Sequence, residues 1–225
     1  GPHLGGAAEV RAEAVAAAGA CVSFRLLLPS GAWPVTLPVA GRHNVANALA
    51  AAAAATAMGV PGEVIARGLG AFRPASGRME VVPLADGTVL VEDTYNANPL
   101  SVRAALTALD EMGGEGRRIA VLGDMLELGA AAAELHREIG AAAARHVDLL
   151  LLLGPLATET AAGARAAGMP AGQVTVVASH EEAAEQLRQL LRPGDRVLVK
   201  GSRGMRMEKV SALLRAGAAE AADNG

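Results

Sequence analysis

The segment Thr88-Val89-Leu90-Val91-Glu92-Asp93-Thr94-Tyr95-Asn96-Ala97-Asn98-Pro99 joins an apolar, strand-like run to a dense group of polar side chains. Six of the seven positions 92–98 can form hydrogen bonds, and they include the single tyrosine of the chain. A plain connection from a strand to a helix needs only a turn and a cap. In open α/β sheets, ligands bind at the carboxyl ends of the strands. The segment therefore predicts a strand followed by a ligand-binding loop.

Downstream of this segment, apolar strand-like runs alternate regularly with helical patterns. An Asp86-Gly87 turn predicts a hairpin before the alternation begins. The strands are predicted at 79–84, 88–92, 118–122, 148–153, 173–177 and 196–199, and the helices from Asn98, up to His146, at 155–167, from Ser179 and at 204–216. This order predicts an α/β fold, Rossmann-like, with a mostly parallel sheet and helices on both faces.

The first third of the chain has a different organisation. Short extended runs at 9–15, 21–28 and 33–39 precede two helical segments, 43–59 and 61–71. Residues 73–77, Arg-Pro-Ala-Ser-Gly, are the best linker candidate. We therefore predict a domain boundary there, with one domain in residues 1–75 and a second in residues 76–225.

Composition excludes several classes of protein. The 225 residues carry a well-mixed net charge of −3, which argues against a nucleic-acid partner. The one cysteine, Cys21, allows no internal disulfide and fits a reducing compartment. No signal peptide is recognisable, and the uncharged, Ala-rich run between His43 and Glu63 contains two asparagines, so a water-exposed helix is favoured over a membrane span. We expect a cytoplasmic protein without a membrane partner.

Three loops are expected at one edge of the predicted sheet, because each follows a strand. They are residues 93–98, 123–129 and 200–204. In the last, glycines allow close approach of an anion, while Lys200 and Arg203 add two cations before a helix. The alternative for this loop is a tight turn capped by Ser202, and for 123–129 a turn with Asp124 as a helix cap.

Other polar residues have both a functional and a structural interpretation. Asn47 lies in a first helical turn where asparagine is a poor helix former, and its carboxamide suits an adenine edge. Asn44 can be a helix cap, and Arg78 either a phosphate contact or a solvated charge. His136 and His146 are ten residues apart on one predicted helix, too far apart along it to share a metal, so both are expected at the surface or as caps.

Several common catalytic motifs are missing from these 225 residues. There is no G-x-x-x-x-G-K-[ST] phosphate-binding loop and no G-x-G-x-x-G after a strand. There is also no G-x-S-x-G, H-E-x-x-H or paired C-x-x-C motif. No metal-binding residues are therefore predicted. We interpret the polar loops as one part of a ligand-binding site, not as a complete one.

The polar elements occur in a definite order along nearly the whole chain. They are Gly41-Arg42-His43-Asn44-Val45 with Asn47, Ser76-Gly77-Arg78-Met79, Asp93-Thr94-Tyr95-Asn96-Ala97-Asn98-Pro99, Gly123-Asp124-Met125 with Glu127-Leu128-Gly129, and Lys200-Gly201-Ser202-Arg203-Gly204-Met205. In this order they resemble the Mur ligases of peptidoglycan synthesis. The last three elements resemble the branch that adds D-alanyl-D-alanine.

The resemblance implies three domains, for a UDP-sugar, for ATP and for the incoming amino acid or dipeptide. Residues 1–75 would be the C-terminal part of the central P-loop ATPase domain, and residues 76–225 the C-terminal ligase domain. The UDP-sugar domain, the P-loop and the ligands of Mg²⁺ would lie upstream of Gly1. The implied reaction joins D-alanyl-D-alanine to UDP-MurNAc-tripeptide with ATP, through an acyl phosphate. We expect a monomer, and we expect the chain alone to be inactive.

The resemblance also implies roles for individual residues. Asn47, supported by His43 and Asn44, would meet adenine, while Asp93 would meet the ribose and Arg78, as the catalytic contact, the γ-phosphate. Asp124, Ser202 and Arg203 would bind the dipeptide, with Arg203 as the partner of its carboxylate. The residues lining the cleft between the domains would be Tyr95 on the nucleotide side and Asn96 and Asn98 on the substrate side.

The sequence departs from the family pattern at two positions. The family often has Ser at the position of Thr94 and Asp at that of Leu100, but neither change removes an expected ligand.

Two alternative functions stay open. One alternative is a nucleotide-binding Rossmann module without chemistry of its own, which the missing P-loop favours. The other is a sibling ligase that adds a single amino acid, which the Tyr-Asn-Ala-Asn-Pro element disfavours.

Overall fold

A computed structural model describes residues 9–84 and 86–223, with side-chain surroundings described as far as residue 217. The chain divides into two compact units, residues 1–74 and 75–225, and the division falls inside the predicted linker. No helix in the described ranges is both long and apolar enough to cross a membrane.

The first unit is an antiparallel three-stranded sheet with two helices. Its elements are β1 (Arg11–Ala18), β2 (Cys21–Leu28), β3 (Gly31–Leu37), α1 (His43–Ala57) and α2 (Gly62–Gly70). Alternate residues of β2, among them Val22, Phe24 and Leu26, are buried and form the centre of its core. This alternation is the period of a strand with one buried face.

The second unit alternates strands and helices around one six-stranded sheet. Its elements are β4 (Glu80–Pro83), β5 (Val89–Asp93), α3 (Pro99–Glu111), β6 (Arg118–Gly123), α4 (Ala132–His146), β7 (Leu149–Leu153), α5 (Ala157–Ala166), β8 (Val174–Val177), α6 (His180–Leu190), β9 (Arg196–Lys200) and α7 (Glu208–Asp223). The strand order is β4-β5-β9-β6-β7-β8, and only β4 is antiparallel to its neighbour. The predicted fold class of this unit is confirmed.

Continuous apolar strands explain why helices cover both faces. All five residues of β7 are leucines, and four of them are buried. One face of the sheet packs on α6 and α7 through a cluster that includes Leu151, Val197 and Leu187. Helices α3, α4 and α5 pack on one another and on the sheet as a separate layer. A parallel sheet buried in this way needs no alternation of polar residues along its strands.

Helices α4 and α5 approach each other at two glycines. A Cβ atom on Gly140 would overlap the carbonyl oxygen of Thr160, and one on Gly163 would overlap that of Arg137. Each helix therefore offers a glycine to the backbone of the other. The close contact fixes the position of α4 relative to the start of α5.

Local sequence signals mark most helix ends, and the predicted start of one helix is wrong. Asn98 caps α3 through a reciprocal pair with Ser101, and Ser179 caps α6 by accepting a hydrogen bond from Glu182 N–H. The last helix begins at Glu208 and not at the predicted Gly204. A short 3₁₀ turn, Arg203–Met205, comes first, and Arg206 then takes a left-handed conformation with φ of 52°. The chain must reverse there before a helix can start.

The order of the strands positions the candidate site. Although β9 is the last strand in the sequence, it lies between β5 and β6. Lys200 at its end is in register with Asp93 of β5 on one side and with Leu122 of β6 on the other. The loops after these three strands therefore start side by side.

Candidate functional site

The three predicted loops meet at the carboxyl edge of the sheet, tied together by side chains from the end of β9. Lys200 and Ser202 are two residues apart, and both reach into the neighbouring loops. The approach is close, because a Cβ on Gly201 would lie 2.6 Å from Met207 Cγ and 3.2 Å from Gly123 Cα. Glycines at these positions let the backbones of β6 and β9 end against each other.

Lys200 is buried and paired. Its side chain is 2% exposed, and its Nζ donates to Asp93 Oδ2 at 2.5 Å and to the carbonyl oxygen of Asn96 at 2.9 Å. The other carboxylate oxygen of Asp93 accepts from Met79 N–H at 3.3 Å. Lys200 is therefore not available to an external anion, which corrects the prediction of two free cations in this loop.

Ser202 joins the loops after β5 and β6. Its hydroxyl donates to the carbonyl oxygen of Ala97 at 3.2 Å and accepts from Leu126 N–H at 2.8 Å. The residue is buried, and its side chain makes no capping hydrogen bond to the turn that follows. The interpretation of Ser202 as a turn cap is therefore wrong, and its hydroxyl is already occupied by two protein partners.

Asp124 is buried beneath the loop after β6. One carboxylate oxygen accepts from Leu156 N–H at 3.0 Å, next to the amino end of α5. Gly154 makes room for it, since a Cβ there would lie 2.5 Å from the Asp124 carboxyl carbon. Asp124 therefore accepts a hydrogen bond at the amino end of α5. The interpretation of Asp124 as a cap of the helix that follows it is wrong.

His136 is the residue that the sequence-based prediction placed incorrectly. It is 2% exposed, and its Nε2 accepts from Met125 N–H at 3.0 Å while its Nδ1 lies 2.7 Å from the carbonyl oxygen of Ala132. This pattern assigns the proton to Nδ1, because Nε2 must be an acceptor. Although Nε2 is only 3.8 Å from Asp124 Oδ1, the imidazole is then neutral and the two do not form an ion pair.

A signal for this burial was present in the sequence. His136 occupies the first position of an i, i+3, i+4, i+7 set with Ile139, Gly140 and Ala143, and the last three are small or apolar. Such spacing is typical of the buried stripe of a helix. A histidine within that stripe needs hydrogen-bond partners, which the loop at Met125 and the carbonyl of Ala132 provide.

Burial of Asp124 predicts an unusual pH dependence. Burial raises the pKa of Asp124 above the ordinary 3.8, more than the hydrogen bond from Leu156 N–H lowers it. Folding therefore takes up a proton between the two pKa values, so this carboxyl lowers the free energy of unfolding as the pH rises through that window. Asp124→Asn cannot ionise, and we expect its stability relative to wild type to increase with pH. Urea unfolding across a pH series measures this difference.

Asp195→Asn is the matched control, because it should give the opposite slope. Burial disfavours the ionised form of Asp195, but the Arg117 guanidinium and backbone N–H groups of Arg192 and Arg117 hold its pKa below 3.8. Its contribution is present above pH ~3.8 and is lost as the pH falls through the lowered pKa. Equal slopes for the two variants would contradict both assignments.

Arg78 and Tyr95 form an exposed pair beside the loop after β5. The Arg78 guanidinium carbon lies 4.0 Å from the centre of the Tyr95 ring. Gly77, with φ of 71°, brings the segment close enough for its carbonyl oxygen to accept from Tyr95 N–H at 3.0 Å. The ring holds a cation by a cation–π contact and leaves the guanidinium N–H groups at the edge of the sheet.

The two asparagines of this loop differ in the hydrogen bonds that their side chains make. Asn98 is explained by the helix, because its side-chain oxygen accepts from Ser101 N–H at 2.8 Å. The Asn96 side-chain oxygen accepts only from the adjacent Ala97 N–H at 2.9 Å among the described contacts, and the residue is exposed. Asn96 is thus the better placed of the two for a ligand.

Arg203 is an exposed cation in the loop after β9. Its side chain is 70% exposed, and its guanidinium is 4.0 Å from Glu208 Oε1, a distance at the limit of an ion pair. Leu126, 42% exposed, lies against Gly204, where a Cβ would come within 2.7 Å of the leucine. The edge therefore offers an exposed positive charge beside an apolar side chain.

The asparagines of the first unit lie at the start of α1. Asn44 is inside the helix, and its Nδ2 donates backwards to the carbonyl oxygen of Ala40 at 2.9 Å, so its interpretation as the helix cap is wrong. Asn47 is exposed and donates to Asn44 Oδ1 at 3.1 Å. His43 is the first residue of the same helix. These residues form one polar group at the amino end of α1.

The described residues contain no group of three or more His, Cys, Asp or Glu side chains that could hold a metal ion. The chemistry available at the edge in the second unit is therefore that of two exposed arginines, a phenol and an amide. Such groups suit anionic ligands such as phosphates and carboxylates.

Comparison with known proteins shows which family the chain resembles. A family model described as the Mur ligase glutamate ligase domain matches residues 77–203. The UDP-N-acetylmuramoyl-tripeptide–D-alanyl-D-alanine ligase of Escherichia coli (strain K12) is 38% identical over 195 residues, which are 85% of this chain and 41% of that protein. The enzyme of the same name from Bacillus subtilis (strain 168) is 33% identical over 175 residues, 77% of this chain and 38% of its own.

The fold agrees as well. A crystal structure of MurF from Acinetobacter baumannii matches 92% of this chain and 45% of its own, with a TM-score of 0.82 and 34% identity. This chain thus spans about two fifths of the length of the curated relatives. The family model covers more than half of the chain and includes the loops at 93–98 and 123–129 and residues 200–203 of the third. The chain belongs to the Mur ligase family.

Proposed function

We propose that this chain is the C-terminal part of an ATP-dependent ligase that joins D-alanyl-D-alanine to UDP-MurNAc-tripeptide. The observation that carries the proposal is the edge where the loops after β5, β6 and β9 meet, since it bears the elements shared with that branch of the family. The names of the relatives at 33–38% identity support the same substrates. Residues 1–74 would be part of the ATP-binding domain.

We assign the nucleotide contacts residue by residue. Asp93 would contact the ribose hydroxyls, and Asn47, with His43 and Asn44, the adenine. Arg78 would contact the γ-phosphate. Its position over the Tyr95 ring supports this role, because the ring restrains the side chain and so lowers the entropy lost on binding.

The dipeptide carboxylate would be bound by Arg203, which is exposed and only weakly paired. We assign Asp124 and Ser202 a supporting part here, because their hydrogen-bonding groups already hold Leu156 N–H, Leu126 N–H and the carbonyl of Ala97. Asn96 is exposed on the same edge and is proposed as a further substrate contact.

The proposed reaction has two steps. ATP phosphorylates the terminal carboxylate of the tripeptide, and the dipeptide amine then attacks the acyl carbon and expels phosphate. The contribution of this chain is to position the reactants and to place positive charge beside the phosphates and the carboxylate. The described residues do not fit a Mg²⁺ site, so its ligands and the P-loop are proposed in another part of the enzyme.

Arg203→Ala is expected to raise the KM for D-alanyl-D-alanine by roughly tenfold to a hundredfold, with a smaller change in kcat. A hydrogen bond to a charged group contributes about 1.5–3 kcal/mol, and about 1.4 kcal/mol is tenfold in affinity. Steady-state kinetics with varied dipeptide measure the effect. Arg165→Ala, at an exposed position of α5, is the matched control. An unchanged KM in Arg203→Ala would remove this residue from the dipeptide site.

Phosphate release tests the function itself. The full-length gene product is assayed with ATP, Mg²⁺ and UDP-MurNAc-tripeptide, with and without D-alanyl-D-alanine. Release that depends on the dipeptide is the expected result. Release that needs a single amino acid would indicate a sibling ligase, and release that nothing stimulates would indicate a binding module.

A further inference from the structure

Lys200 is an unusual choice of residue for its position. The chain has 18 arginines and only two lysines, Lys200 and Lys209. Lys209 is exposed, whereas Lys200 is among the largest fully buried side chains of the protein. Arginine thus supplies most of the basic residues of this sequence, but the buried cation at the ligand-facing edge is a lysine. Its compact ammonium fits between two loops.

The contacts of Lys200 all lead to the loop after β5. Its Nζ is bonded to Asp93 Oδ2 and to the carbonyl oxygen of Asn96, so one cation fixes both the first residue of the loop and its middle. Met79 N–H binds the second carboxylate oxygen of Asp93. The carboxylate is therefore held from two sides, and its rotation is restricted.

Stability alone does not account for this arrangement. A buried ion pair costs desolvation energy that its attraction only partly offsets, and well-packed apolar residues of similar size are often as stable or more so. The middle of β9 is built in that apolar way, with Val197, Leu198 and Val199 fully buried, while a second buried cation, Arg196, begins the strand. The Lys200–Asp93 pair differs from the ion pair of Asp195 at the other end of the strand, because it ties β9 to the loop at the binding edge.

We propose that Lys200 is a positioning residue of the nucleotide site, which acts by holding Asp93 and the 93–96 loop in the conformation that receives the ribose. This inference rests on the proposed function, because it takes Asp93 as the ribose contact. Lys200 itself does not touch the ligand. Its effect on nucleotide binding passes through the Asp93 carboxylate that it pairs with.

The test compares two nucleotides in the full-length gene product. ADP and 2′,3′-dideoxy-ADP are titrated calorimetrically into wild type, Lys200→Met and the control Lys209→Met. We expect wild type and Lys209→Met to prefer ADP. In Lys200→Met the preference should disappear, with the Kd for ADP raised about tenfold or more and that for the dideoxy nucleotide nearly unchanged. A general weakening of the fold would raise both Kd values together.

A second variant keeps the test decisive if Lys200→Met does not fold. Asp93→Asn/Lys200→Met carries no lone buried charge, and it is compared with Asp93→Asn alone. If Lys200 acts through Asp93, the two bind ADP within about twofold of each other. A further tenfold loss in the double variant would overturn the proposal.

The remaining outcomes separate this proposal from the proposed function. If wild type prefers ADP and Lys200→Met keeps that preference, the role of Lys200 is wrong and the ligase function stands. If wild type binds ADP without preferring it over the dideoxy form, Asp93 is not the ribose contact and the role of Lys200 fails with it. If wild type binds neither nucleotide and releases no phosphate, the proposed function is itself wrong.

Discussion

Gly140→Ala is expected to lower the free energy of unfolding of the second unit by roughly 3 kcal/mol or more. An exposed helical glycine replaced by alanine normally stabilises a helix by about 0.5–1 kcal/mol. Here the new Cβ would overlap the carbonyl oxygen of Thr160, and backbone cannot move aside as a side chain can. Overpacking of side chains already costs about 1–3 kcal/mol, so the steric cost outweighs the gain in propensity.

Unfolding in urea, followed by far-ultraviolet circular dichroism, measures this loss. Gly163→Ala should behave alike, since its Cβ would overlap the carbonyl oxygen of Arg137. Gly172→Ala is the matched control in the same unit, because nothing lies within 4 Å of its added Cβ. The single tryptophan, Trp33, reports separately on the first unit and should be unaffected. Equal stabilities of Gly140→Ala and Gly172→Ala would show that the helices can separate without cost.

The same substitution should also disturb the candidate site. Gly140 lies one turn beyond His136 on α4, and His136 holds Met125 N–H at the loop after β6. A helix pushed away from α5 carries the imidazole with it. We therefore see the contact between α4 and α5 as part of the support of the binding edge.

Local signals made most of the second unit predictable. The apolar run Val89–Val91 marks strand β5. The adjacent residues Asn98 and Pro99 mark the start of α3, as its N-cap and its first residue. Such signals depend on neighbours along the chain, so they can be read without knowing the rest of the fold. The strand and helix order, and hence the fold class, followed from them.

Contacts between distant parts of the chain could not be predicted in this way. Lys200 and Asp93 are 107 residues apart, and they meet only because β9 enters the sheet between β5 and β6. From the sequence, Lys200 looked like a cation free to bind an anion. The structure instead makes it the partner of an acid, and Arg203 is the cation left exposed.

The polar residues of the edge thus divide into two groups. Asp124, His136, Lys200 and Ser202 are buried and bind protein groups, whereas Arg78, Tyr95, Asn96 and Arg203 are exposed. Sequence motifs do not separate the groups, because members of both stand next to each other, as buried Lys200 and Ser202 do beside exposed Arg203. Burial separates them, and it assigns the first group to holding the loops and the second to meeting ligands.

Ser202→Ala tests this division most directly, and we expect it to lower kcat/KM by about a hundredfold. The change leaves Leu126 N–H and the carbonyl of Ala97 without their partner, and an unsatisfied buried group costs about 1–3 kcal/mol. The loops after β5 and β6 then lose their bridge. A shift of about 1 Å in reacting groups is enough for a hundredfold loss. Kinetics of the full-length gene product and urea unfolding together measure the effect.

Thr88→Val is the control, since it also removes one buried hydroxyl from the second unit. Thr88 is fully buried at the opposite end of β5, and its hydroxyl has no hydrogen-bond partner among the described residues. Removing an unsatisfied polar group from the interior should stabilise the unit by about 1 kcal/mol and leave kcat/KM unchanged. The two substitutions should therefore have opposite signs in stability, because only the Ser202 hydroxyl joins two loops. A loss of kcat/KM in Thr88→Val as large as in Ser202→Ala would mean that the edge responds to the loss of any buried hydroxyl in this unit, and not to the loss of the Ser202 bridge.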